Sequence, residues 1–251
     1  MRFDARVVSL GTYFTILLFN VYALILYFNQ QLTLYIHPRY VLFTAILNAF
    51  SLVACGVGFV LTAGRLGSAN NVASYVRWRR PPFTVLVAGF VLVAAYALPA
   101  HTLSSDTADQ RANNFNDVQP QPSSAGDTLA LFAVETSTLS IPDWVSAFSM
   151  RTSASFYEGK NVDVVGFVFH PKGTPEDVFY VARFRLTCCA VDAQPLGVPV
   201  YSPGWQEKFK EDSWVHLTGT FTETDQDIAE PAVIEPQDIE PTEQPDNPYV
   251  T

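Results

Sequence analysis

Two adjacent cysteines, Cys188 and Cys189, are the residues of this chain best suited to chemistry. A thiolate is both a nucleophile and a soft metal ligand. Asp192 follows close behind, and His170 closes an apolar segment upstream, so each offers a further donor. Zinc or copper(I) suits such a set. The spacing matches no established zinc pattern, and two other readings stand beside it. Adjacent residues on a strand point to opposite faces, so one cysteine can be a small buried hydrophobe and the other incidental, unless a bulge or strand end turns the chain. The pair can also form a strained vicinal disulfide or a redox couple, although no Cys-x-x-Cys supports that. The third cysteine, Cys55, lies in an apolar run, and three cysteines do not build a disulfide framework.

Other polar residues stand where contacts are made. His37-Pro38-Arg39 sits between two apolar segments. It reads as a turn with an interfacial anchor, Pro38 blocking helix continuation and Arg39 snorkelling, or as a contact for a partner or ligand on the outer face. Asn20 and Asn48 fall in the middle of apolar segments, where amides hydrogen-bond to a neighbouring helix. Arg183 and Arg185 share one strand face and are either solvated or an anion-binding pair. Gly-x-Ser-x-Gly, a phosphate-binding glycine loop and His-Glu-x-x-His are all missing, and the chain has four histidines, His37, His101, His170 and His216. The sequence therefore reads as a non-enzyme.

The elements that must position these residues fall into two halves of opposite charge. Met1 to Pro99 holds seven arginines, no lysine and one acid, whereas the remainder is strongly acidic and brings the chain to −9. An acidic soluble half argues against a nucleic-acid partner. Three apolar segments, 7–28, 40–63 and 81–100, are each of a length to cross a bilayer, which takes roughly 20 apolar residues. The first is too long for a signal-peptide core, and no small-residue cleavage site follows it. Arg2 and Arg6 precede the first segment, Arg39 alone lies between the first and second, and Arg65, Arg77, Arg79 and Arg80 lie between the second and third. Positive loops stay cytoplasmic, so the expectation is a multi-pass protein with its N-terminus inside and its C-terminal domain outside the cytoplasm. No ionisable residue lies deep in a span, so the helices make poor material for a self-sufficient pathway.

Residues 1–103 thus form the expected membrane domain. Residues 104–126, rich in Ser, Asp, Asn, Gln and Pro, read as a flexible linker. Residues 127–251 form the expected soluble domain, ending in an acidic, proline-rich stretch. Ser140 to Met150 reads as a short helix with Ser140 as its cap, Pro142 in its first turn, and Ile141, Val145, Phe148 and Met150 on one apolar face. Strands follow at 161–170, 178–187, 198–201, 213–221 and 232–239, with Pro195 and Gly197 breaking the chain and Trp214 and Leu217 in the core. Five short strands in this span predict an all-β small barrel of the OB type.

The string Arg183-Phe-Arg-Leu-Thr-Cys-Cys-Ala-Val-Asp-Ala-Gln-Pro-Leu-Gly197 resembles a bacterial family, the small, uncharacterised subunit of a two-component membrane permease complex. Gly159-Lys160, Val165-Gly166-Phe167-Val168, Trp214-Val215, Gly219, Asn247-Pro-Tyr-Val250 and Tyr35-Ile-His-Pro-Arg-Tyr40 extend the likeness over most of the chain apart from the linker. Many members carry a His-rich stretch between membrane segments, and none lies between Thr62 and Pro82 here. The resemblance implies a membrane region followed by an OB-like domain, and a larger multi-span permease subunit as partner. The expected function is an accessory transport subunit in the bacterial cell membrane, in contact with lipid, whose outer domain binds or gates a small ligand such as a metal ion. A stand-alone membrane-anchored binding or sensor module, or a Cys188–Cys189 redox protein, is the alternative.

Overall fold

The computed structural model describes residues 5–67, 89–90, 93, 102–111, 115–116, 136–150 and 153–250. They fall into two compact units, Met1–His101 and Thr102–Thr251.

The first unit contains two long helices, α1 (Ala5–Phe28) and α2 (Pro38–Gly67), joined by a 3-10 turn at Gln31–Leu34. Pro38 opens α2, where its missing N–H costs nothing and its fixed φ suits a helix. Inside the unit, Asn48 Nδ2 donates to Asn20 O at 3.2 Å and Asn20 Nδ2 donates back to Ile16 O at 2.7 Å. Gly58 lies where a Cβ would stand 2.9 Å from the Tyr13 ring. A small residue here lets the helices approach closely. The opposite stripe of α2, Leu42, Phe43, Ile46, Phe50, Val53, Val57 and Val60, is exposed. Among the described residues one helix, Pro38–Thr62, is long and apolar enough to cross a membrane. The third apolar segment lies outside the described residues, except that residues 89, 90 and 93 are helical. The loop arginines at 77, 79 and 80 lie outside them too.

The second unit is a closed, mixed five-stranded barrel preceded by a helix. Its strands are β1 (Asn161–Phe169), β2 (Val178–Arg185), β3 (Gln194–Tyr201), β4 (Trp214–Thr222) and β5 (Val233–Pro241). β1 pairs antiparallel with β2 and β4, β2 with β3, and β4 with β5; the barrel closes where β3 meets β5 in parallel at Val200 and Ile234. A short β6 (Tyr249–Val250) adds in parallel to β2. Two glycines allow the strands to bend around the barrel. A Cβ on Gly166 would stand 2.6 Å from Ala182 O, and one on Gly219, where the register shifts past Gln237 of β5, 2.5 Å from Glu235 O.

Alternation sends Val162, Val164, Val168, Phe179, Val181, Leu196, Val198, Val215, Leu217, Phe221 and Ile234 inward. The helix Ile141–Met150 packs on this core through Ile141, Trp144, Val145 and Phe148. At its start Asp143 Oδ2 accepts from Ser140 N at 2.9 Å and also from Ser140 Oγ, so the serine hydroxyl donates to the carboxylate. The apolar face of the helix differs from the expected one, because Trp144 is fully buried whereas Met150 is 37% exposed. Trp214 also departs from expectation. Val215, Leu217 and Phe221 take the inward parity of β4, which leaves Trp214 half-buried on the outer face, 6.1 Å from the Phe167 ring.

β3 begins at Gln194 and so runs through Pro195 and Gly197, the residues expected to break the chain. Residues 195, 197 and 199 point their N positions away from β2, since N–H groups alternate between the two sides of an antiparallel strand. Proline loses no ladder bond there.

The outer face of β1 and β2 carries a second cluster, Phe167, Phe169, Ala182, Phe184, Leu186 and Tyr249. It is covered by residues that composition alone assigns to the flexible linker. A short helix, α3 (Ser105–Gln110), buries Ala108 against it, and Leu103 and Phe115 pack alongside. Phe115 meets Phe169 and Tyr180 edge-on, with ring centres 5.6 and 4.9 Å away. Ser105 donates through N and Oγ to the two Asp212 carboxylate oxygens at 2.6 and 2.9 Å. Asn116, at φ 53°, sits on the side of β3 that faces away from β2. There it donates to Gly197 O at 3.0 Å and accepts from Gly197 N at 2.8 Å. The physical reason is economy: a few apolar and amide side chains anchor a segment whose remaining residues are polar. The rest of 104–126 lies outside the described residues.

Candidate functional site

β2 ends at Arg185, and residues 186–193 carry the chain back into β3. The chain bends at Thr187 and Cys188, then enters a 3-10 turn, Ala190–Asp192, headed by Cys189. This turn brings Asp192 back over the cysteines. Cys188 N donates to Asp192 Oδ2 at 2.8 Å, Cys189 N to Oδ1 at 3.1 Å, and Thr187 N to Oδ1 at 3.4 Å. The two sulfurs lie 3.6 Å apart. One donor atom from each of Cys188, Cys189 and Asp192 falls within 4.8 Å of the others. The bend needed to bring adjacent cysteines to one side is therefore present. Neither is a core residue, since Cys188 is exposed and Cys189 half-buried.

The electrostatics of the group follow from its hydrogen bonds. The Cys188 thiol is pushed up to about 11, chiefly because it donates to Asp192 and then because it donates to Cys189. Desolvation works against the Asp192 carboxylate, but the Cys188 thiol and the backbone N–H groups outweigh it and hold its pKa below the ordinary range.

A residue without a sequence signal braces this loop. Arg111, at the end of α3, donates through Nη1 to Ala193 O at 2.6 Å and through both Nη atoms to Ala190 O at 3.2 Å. The guanidinium thus clamps both ends of the turn that carries Asp192.

The other expected site residues lie elsewhere. His170 is outside the cysteine group; its Nε2 is 3.3 Å from Pro175 O and its ring 5.5 Å from that of Trp205. Arg183 faces the C-terminal segment, with Nε on Pro248 O at 3.2 Å, Nη2 on Asn247 O, and its guanidinium 5.6 Å from the Trp214 ring. Desolvation lowers its pKa. Arg185 Nη2 donates to Gln194 Oε1 at 2.7 Å. In the first unit, His37 Nδ1 accepts from Arg39 N at 3.0 Å and so fixes the first turn of α2 behind Pro38. Asn48 reaches from α2 to the backbone carbonyl of Asn20, whereas the Asn20 side chain bonds to Ile16 O within α1.

Residues 142–251 match a family model, the DUF1980 C-terminal domain. The match spans the barrel, nearly all of its preceding helix and the cysteine loop, so this part of the chain is similar to the C-terminal domain of an uncharacterised family. Comparison with curated proteins gives no match, and neither does comparison with solved structures.

Proposed function

We propose that the protein is a membrane-anchored accessory subunit of a transport complex, whose OB-like barrel binds or gates a small ligand outside the cytoplasm. The observation that carries the reading is the apolar stripe of α2. Leu42, Phe43, Ile46, Phe50, Val53, Val57 and Val60 are exposed along a helix of spanning length. In a bilayer such a stripe meets lipid or another helix. The described spanning residues carry no ionisable side chain deep in the membrane, so the helices serve docking better than conduction. The resemblance to small permease subunits names the partner class, a larger multi-span subunit. The distribution of arginines supports a multi-pass arrangement with the N-terminus inside.

Affinity purification of the full chain from native membranes in mild detergent tests this. A multi-span protein recovered in constant ratio supports the reading; repeated recovery of the lone monomer counts against it. A second reading, a redox protein, draws on the 3.6 Å between the Cys188 and Cys189 sulfurs. Full function after replacing both with serine would remove it.

A further inference from the structure

We propose that Cys188, Cys189 and Asp192 form a binding site for a zinc-class cation, held by two thiolates and one carboxylate oxygen with one coordination position open to an incoming donor. The inference deepens the reading of the barrel as a ligand-binding domain, rests on it, and names the ligand.

The donor chemistry selects the ion. Two thiolates exclude magnesium and calcium, which take oxygen ligands, and a carboxylate oxygen beside them favours zinc over copper(I). The geometry is close to complete. Two thiolates on a tetrahedral zinc stand about 3.8 Å apart, given Zn–S bonds of about 2.3 Å. The sulfurs here are 3.6 Å apart, and the carboxylate oxygen lies within 4.8 Å of both. Small side-chain rotations close the rest.

The carboxylate is oriented before any ion arrives. Backbone N–H groups of Thr187, Cys188 and Cys189 hold both of its oxygens. Metal-binding carboxylates are commonly fixed in this way by outer hydrogen bonds. A further contact of Asp192 is the Cys188 thiol proton. The cation takes the place of that proton: the S–H bonds of Cys188 and Cys189 break, two protons leave to solvent, and two S–metal bonds and one O–metal bond form.

The site is also open. Cys188 is exposed, and Val191 in the same turn is 84% exposed. Among the described residues the group of three gains no fourth His, Cys, Asp or Glu donor. A three-ligand site with a free position exchanges its ion or accepts a further ligand, unlike a closed structural site.

The test uses the full-length chain in detergent, reduced and anaerobic, in a Cys55→Ser background. Cobalt(II) is titrated, then displaced by zinc. Expected are one cobalt per chain, a thiolate-to-cobalt charge-transfer band in the near ultraviolet, and displacement by one equivalent of zinc. Cys188→Ser, Cys189→Ser and Asp192→Asn each weaken binding by at least about tenfold, and His170→Ala leaves it unchanged. Absence of the band, or its survival in the Cys188→Ser/Cys189→Ser double variant, overturns the proposal. A second readout needs no variant at the site: zinc must protect both thiols from maleimide, and lack of protection overturns the proposal equally. Failure here leaves recovery with a multi-span partner intact as a result, whereas loss of the partner with intact cobalt binding removes the transport reading alone.

Discussion

Arg111 Nη1 donates to Ala193 O at 2.6 Å, and this bond ties the start of the second unit to the loop that carries the cysteines. The same guanidinium reaches Ala190 O, so both ends of the Asp192 turn hang on one side chain. α3 is therefore a brace for the candidate site as well as a cover for the outer face of the barrel.

Replacing Arg111 with alanine removes that brace. Hydrogen bonds to a charged group contribute about 1.5–3 kcal/mol, and the partial exposure here places the loss toward the low end. The urea midpoint falls, and cobalt binding weakens by roughly tenfold through the loosened turn. Arg111→Lys restores neither fully, because a lysine cannot span two carbonyls as a planar fork does. Unchanged cobalt affinity in Arg111→Ala would show that the turn holds itself.

Asn116→Ala strikes the edge of β3. It removes the exchange with Gly197 and the 2.6 Å bond to Glu230, which also accepts from Tyr180 at 2.6 Å. Leaving these buried partners short of hydrogen bonds costs about 1–3 kcal/mol. Denaturant unfolding should show a lower midpoint at an unchanged slope. A midpoint equal to the parent's would mean that residues 115–116 contribute nothing to the barrel.

Gly166→Ala and Gly219→Ala test the two bends. Each new methyl meets a backbone oxygen, of Ala182 or Glu235, which cannot swing aside. Overpacking of this kind costs about 1–3 kcal/mol. Thermal melts of both variants, compared with Gly173→Ala in a surface turn, check it; the Gly173 position has open space but a φ of 91°, so its cost is one of backbone strain alone.

The thiols make a pH prediction. The Cys188 thiol is pushed up to about 11, chiefly because it donates to Asp192, so little of it is thiolate at pH 8. Its alkylation in the metal-free protein is slow at pH 8 and rises through pH 11. Asp192→Asn removes the anion that holds the proton, and alkylation of Cys188 at pH 8 quickens by at least about tenfold as the thiol returns toward its usual value. A variant with the parent rate would sink this account.

Gly58→Leu separates α1 from α2. The new side chain enters the Tyr13 ring at a place where even a Cβ stands 2.9 Å away. Cysteine cross-linking between the helices in membranes falls in the variant, while the melting of the barrel does not change.

Much of the barrel is legible because its core is periodic. Val162, Val164 and Val168 alternate along β1, and Val215, Leu217 and Phe221 along β4, so strand positions follow from the pattern. What is not legible depends on parity and partners. Trp214 is large and apolar but falls on the outer parity. Pro195 and Gly197 look like breakers until their N positions are seen to face the edge. The cysteines and Asp192 share one local turn, so their grouping shows in the spacing; the distance of His170 from them is tertiary and does not. Arg111 is a lone cation in a polar stretch, which carries no signal of any kind.

The edge of β3 has a further consequence, for solubility. An extended strand with unpaired backbone groups is a template on which a second chain can add a strand. Among the described residues β3 pairs with β5 at Val200 alone, so its ladder on that side is short although the strand itself is buried. Pro195 and Pro199 withhold two donors from it, and Asn116 takes up the donor and acceptor of Gly197 between them. The chain thus carries its own guard against intermolecular strand pairing. A version lacking residues 102–116 loses the Asn116 contact at Gly197, and it should form swapped dimers or fibrils at concentrations where the full chain stays dispersed.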